Sequence, residues 1–160
     1  MWYGVKEMEK VRRPIVREYI DSIKELDDIL AIVLKTHLYT EYWIDQLVKE
    51  VSRTPNESIK YSFAVKLNLI YNMGCIPDDL YLNIKKLNKL RNQFAHNLDF
   101  DINDADWNYV VRQEGLVLGD FETVKERLLI VGLETFAWLN NEAVGILMKK
   151  EYLETVGKES

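Results

Sequence analysis

Between Ile15 and Val51 the chain runs without a glycine or a proline, and only seven glycines and three prolines occur in its 160 residues. Such a backbone is left in long uninterrupted segments. In this stretch Ile15, Tyr19, Ile23, Leu26, Ile29, Leu30, Val33, Leu34, Leu38, Tyr42, Ile44, Leu47, Val48 and Val51 recur at three- and four-residue steps, the spacing of one helical face. A single helix of that length exceeds the ordinary range. A break is therefore expected at Asp27-Asp28, where an aspartate caps a new start.

Punctuation divides the rest. Arg53-Thr54-Pro55-Asn56-Glu57-Ser58 is the first clear loop. A helix is expected from about Ser58 to Met73, with Ile59, Phe63, Leu67 and Ile70 inward and Gly74 as its stop. After Pro77, Asp78 is placed to cap a helix carrying Leu80, Ile84, Leu87, Leu90 and Phe94. The acid-rich stretch 97–103 reads as a turn. A short helix through Trp107, Val110 and Val111 should end at Gly115, and residues 115–120 should form a brief extended piece. The last helix is expected from about Phe121 to Val156. Together these elements give an all-α, single-domain antiparallel bundle of five to six helices spanning residues 1–160.

Net charge is −5, which disfavours indiscriminate nucleic-acid binding, because that binding runs on Lys and Arg displacing counterions. The charge is unevenly spread. Tyr81 to Leu98 holds Lys85, Lys86, Lys89 and Arg91 and no acid, while Asp99, Asp101, Asp104 and Asp106 follow directly. A basic strip on an acidic protein can guide a phosphate to one place; its plainer reading is a solvated helix face. No apolar run nears the ~18 residues that span a bilayer. Met1 to Glu7 lacks a secretory signal's basic flank and apolar stretch, so a cytoplasmic protein is expected. The single cysteine, Cys75, excludes an internal disulfide and a cysteine-rich zinc site. No cofactor and no metal are expected.

The stretch Arg91-Asn92-Gln93-Phe94-Ala95-His96 carries the most chemistry. Arginine holds phosphate and histidine moves a proton near neutral pH. Five positions on a helix turn through about 500°, leaving Arg91 and His96 roughly 140° apart. Their convergence needs arginine's long stem, fraying near Asn97, or a partner subunit. Asn92 and His96, four apart, share a face. On RNA, His96 would act as base or acid, Arg91 would neutralise phosphate charge, and Asn92 would hold one of them. The structural alternative pairs Arg91 with a carboxylate and sets His96 against the helix's last carbonyls. His37 and Glu41 also share a face. Glu41 either supports His37, forms a local hydrogen bond, or reaches Arg91. Trp43, Trp107 and Trp138 lie in apolar patterns and read as core.

The run Asn88-Lys89-Leu90-Arg91-Asn92-Gln93-Phe94-Ala95-His96-Asn97 resembles the signature of the HEPN superfamily, in which an Arg, a polar residue and a following His close a helix. The spelling Arg-Asn-x-Phe-Ala-His is similar to the branch that includes the mannitol-operon repressors. So are the Lys66-Leu67 step and the Met73-Gly74-Cys75-Ile76 turn before the motif helix, and Lys35 to Glu41 upstream. The likeness covers about Ile29 to Asp99. It implies a small helical bundle, commonly a homodimer, and a metal-independent endoribonuclease of toxin, antiphage or RNA-processing type. Arg91, Asn92 and His96 would be its site, met at a subunit cleft, with His37 and Glu41 supporting and Lys85, Lys86 and Lys89 holding RNA. The repressor branch implies an alternative, a non-catalytic regulatory or interaction protein that binds a protein partner. No helix-turn-helix with a basic recognition helix is evident.

Overall fold

The computed structural model describes residues 16–158, which are helix and connecting loop with no strand among them. The N-terminal stretch considered for a secretory signal, and Ile15, lie outside that range. Six helices follow in order: α1 Val16–Ile23, α2 Ile29–Val51, α3 Pro55–Ser58, α4 Phe63–Asn72, α5 Asp78–His96 and α6 Val124–Lys158. The break at Asp27-Asp28 is present. Asp28 stands in extended backbone, and its carboxylate accepts from the Ala31 N–H at 3.0 Å, satisfying a donor that the new helix leaves free. No described helix is long and apolar enough to cross a membrane.

The helices α2 and α6 pack along the centre, with α1 against both and α4 and α5 against α2. Tyr19, Trp43 and Phe136 are fully buried in the main core, and burial of Phe136 alone is worth about 1.5–3 kcal/mol. The Tyr19 hydroxyl shares a 2.8 Å hydrogen bond with Thr36. That arrangement requires Gly132 on α6, because a Cβ there would overlap the hydroxyl. A second cluster of Ile32, Val33, Leu90 and Leu128, with Phe94, Phe100 and Trp107 around it, fixes the far end of α5 against α2.

Between α4 and α5 the chain reverses at Gly74, whose φ of 75° lies in the left-handed region open to glycine. The Gly74 N–H returns to the Tyr71 carbonyl at 3.0 Å and the Cys75 N–H to the Ile70 carbonyl at 2.9 Å. This tight return sets the motif helix beside α2.

Four expectations need correction. The predicted helix over 58–73 is divided: Pro55–Ser58 forms one turn inside the expected loop, and Ser62 caps α4 by accepting from the Val65 N–H at 3.4 Å. Pro77, in extended backbone, precedes α5, and Asp78 is its first residue. Residues 105–117 form no helix. Asp101 accepts from the Asn103 N–H and Asp106 from the Asn108 N–H, each at 2.9 Å, so short side chains take the amides a helix would use. Ala105, Trp107, Tyr109 and Val111 point inward alternately with exposed neighbours, the period of extended chain. Finally, residues 115–120 turn at Gly115 and form a single 3-10 turn, Leu118–Asp120.

Candidate functional site

Helix α5 stays helical through His96, with Asn97 as its C-cap, so no fraying brings Arg91 and His96 together. The two diverge. Arg91 lies near α2, where its charge acts on His37. His96 is exposed and lines an open groove on another side of the helix.

His37 is mostly enclosed on the α2 side. Its Nε2 is 3.3 Å from Asn88 Oδ1, its Nδ1 is 3.9 Å from Glu41, and its ring rests on Phe63 with centroids 4.4 Å apart. Burial pushes its pKa below the usual imidazole range. Glu41 and Asn88 push back, while Arg91 and Lys66 add to the lowering. Asn88 Oδ1 can only accept, so the hydrogen bond is donated by the imidazole Nε2–H.

Glu41 is paired with Lys66 rather than Arg91. Lys66 Nζ lies 2.9 Å from Glu41 and 2.6 Å from Asp45, and its side chain is 4% exposed. Burial pulls the Lys66 pKa down, but hydrogen bonds and charge from Asp45 and Glu41 outweigh it and leave the group above its ordinary value. This cation is fully paired.

Arg91 is not. Its Nη1 donates to Asn92 Oδ1 at 3.0 Å, its Nε is sealed from solvent without a hydrogen-bond partner, and no carboxylate pairs with it among the described residues. Enclosing an unpaired polar group costs about 1–3 kcal/mol, and more when it is charged. The expected structural alternative, an Arg91–carboxylate pair, is absent among the described residues.

The groove encloses about 790 Å³ and runs along α5 past Leu82, Lys85, Lys86, Asn88, Lys89, Asn92, Gln93 and His96, with Ala64 and Asp106 also lining it. From Leu82 to His96 the helix rises about 21 Å. Lys85 sits 5.7 Å from the Tyr81 ring centre, and Lys89 is exposed. Lys86 is engaged: it meets Asp106 at 3.4 Å and donates to the Asn108 carbonyl.

Asn92, His96, Lys85, Lys86 and Lys89 are thus brought together, while Arg91, His37 and Glu41 lie apart from the groove lining. Asn92 bonds Arg91 and lines the groove, and so connects the two sets. Sequence reasoning missed the roles of Asn88, Lys66 and Asp106. Asn88, Asn92 and His96 follow at four-residue steps, which was a legible signal for the first. Lys66 stands on the inward stripe of Phe63, Leu67 and Ile70, where a lysine requires carboxylate partners. Nothing in the sequence marked Asp106 apart from its acidic neighbours.

Among the described residues, no three His, Cys, Asp or Glu side chains are grouped to hold a metal ion. Comparison with protein-family models, curated proteins and solved structures finds no match to this chain.

Proposed function

We propose that the α5 groove binds RNA and that Arg91, Asn92 and His96 support its metal-independent cleavage, the site being completed by a second copy of the chain. One observation carries this reading: Arg91 keeps a half-enclosed charge with a sealed Nε and, among the described residues, no carboxylate partner. A guanidinium in that state weakens the fold until an anion meets it. Phosphate suits its planar fork of donors.

In the proposed reaction, His96 takes the proton of a ribose 2′-hydroxyl as that oxygen attacks the adjacent phosphorus. The bond to the 5′-oxygen breaks, and that oxygen takes a proton from an imidazolium as it leaves. The products are a 2′,3′-cyclic phosphate and a 5′-hydroxyl. Arg91 offsets charge on the phosphoryl oxygens, and Asn92 fixes the guanidinium. Lys85 and Lys89 hold flanking phosphates. Because Arg91 and His96 diverge on one helix, a two-fold mate is needed to bring an arginine and a histidine into one pocket. Leu30, Leu34 and Leu38, exposed at four-residue steps on α2, favour a homodimer. The HEPN resemblance of the Arg-Asn-x-Phe-Ala-His run supports the same assignment.

The test is incubation of purified protein with RNA in the presence of a chelator. Cyclic-phosphate ends from wild type, and none from Arg91→Ala or His96→Ala, are expected. Equal cleavage by the variants refutes the reading. A second reading, a non-catalytic interaction module, is favoured by the absence of Arg91 from the groove that holds His96. It predicts stable binding of an RNA or protein partner with no strand cut.

A further inference from the structure

We infer that Asp106 is an internal rival of ligand phosphate, occupying Lys86 and so setting how tightly the α5 groove holds a phosphate chain. The inference rests on the RNA-groove reading and concerns the regulation of that same site.

Among the described residues lining the groove Asp106 is the single acid, and it shares that lining with Lys85, Lys86 and Lys89, with asparagine and glutamine amides, with His96 and with the apolar Ala64 and Leu82. Its carboxylate lies 3.4 Å from Lys86 Nζ. It also lines a smaller neighbouring cavity together with Lys86, Lys89 and a second acid, Asp104.

The carboxylate is held in place without any ligand. It accepts from the Asn108 N–H at 2.9 Å, while Lys86 donates to the Asn108 carbonyl. Two residues on, the buried Asn83 of α5 clamps Val110 through both backbone groups: its amide donates to the carbonyl at 2.8 Å, and its oxygen accepts from the N–H at 2.9 Å. The strand of chain bearing Asp106 is therefore fastened to the helix whose lysine it neutralises. The Asn108 N–H, then Lys86 and Lys89, hold the Asp106 carboxyl below the usual carboxylate range, so it stays ionised at neutral pH.

The pair is wet, with side chains 27% and 56% exposed for Lys86 and Asp106. Such a contact is readily exchanged. Asp106 therefore tunes the groove rather than closing it. An incoming phosphate must displace it from Lys86 or bind beside a fixed negative charge.

The experiment is a fluorescence-anisotropy titration of the full chain with a short unstructured single-stranded RNA across a salt series. Asp106→Asn keeps the oxygen that accepts from Asn108 and removes only the charge. Asp120→Asn, which lies outside the groove lining, removes the same charge elsewhere. Asp106→Asn should tighten binding about three- to fivefold, the scale of an exposed ion pair. It should also steepen the logarithmic salt slope by about 0.7, one further phosphate contact on a single strand. Lys86→Gln, which leaves the Asp106 charge in the groove unopposed, should weaken wild-type binding and should abolish the further gain in the Asp106→Asn background. If wild type binds and Asp106→Asn matches Asp120→Asn, the rivalry is refuted and the groove reading stands. If no form of the protein binds RNA at any salt, the groove reading itself falls and the rivalry with it.

Discussion

Lys66 and Arg91 both bring positive charge to α2, yet the chain treats them in opposite ways. Lys66 is almost wholly enclosed and meets two carboxylates, Glu41 and Asp45, at hydrogen-bonding distance. Arg91 is half enclosed and meets one neutral amide, with its Nε left over. The first arrangement is complete within the described chain and acts on stability. The second is incomplete, and an enclosed cation without a counter-charge is retained at a cost to the fold. The difference separates a cation paired inside the fold from one that meets no carboxylate among the described residues, although the two lie in neighbouring helices.

The sharpest test of that separation is catalytic. Replacing His96 by Ala should lower RNA cleavage by about 10²- to 10⁴-fold, the usual contribution of a positioned acid or base. Its exposure means that urea unfolding should barely change. A His96→Ala variant that loses fold and cleavage together would make the imidazole a structural group rather than the proposed acid or base.

Breaking it from the other side, Lys66→Met leaves Glu41 and Asp45 facing each other without a cation. Urea unfolding should show a loss of about 2–4 kcal/mol, the lower part of that range if water reaches the carboxylates. Adding Glu41→Gln and Asp45→Asn should restore much of it. Unchanged stability in Lys66→Met would show that the paired cluster contributes nothing to the fold.

A smaller effect is expected at the core contact that seats α1. Gly132→Ala puts a methyl group into the Tyr19 hydroxyl, and thermal unfolding should register a loss of about 1–3 kcal/mol. An Ala variant as stable as wild type would mean that α1 shifts freely.

The smallest effect is the pH dependence of His37. Its folded pKa lies below the unfolded value of about 6.5, chiefly through burial, so the unfolded chain binds the proton more readily. Its contribution to stability is full above that unfolded value and is lost as pH falls towards the lower folded value. His37→Gln should flatten this acid-side slope in urea titrations at several pH values. An identical slope would assign it to another group.

Much of the fold was legible because helix signals in this chain are local. Asp28 caps where the acidic pair suggested, Gly74 turns where a glycine was needed, and α5 ends at His96. The segment after α5 was misread because Trp107, Val110 and Val111 were assigned a helical period. Its Asp and Asn side chains instead take backbone amides two residues on, and its apolar residues alternate. Of the candidate residues, Asn92 and His96 share a face as their four-residue spacing implied, and that face lines the groove with Lys85, Lys86 and Lys89. That Arg91 would meet no carboxylate among the described residues was not legible, because Glu41 is held by Lys66, 25 residues away in sequence. Competition for partners across helices is a property of packing, and no local spacing encodes it.

The most direct measurement is the RNA-induced change in melting temperature of wild type beside Arg91→Met. The unpaired-cation view predicts a variant that melts at or above wild type alone and gains clearly less from RNA than wild type does. A variant that melts well below wild type, or that RNA stabilises as strongly as wild type, would contradict it.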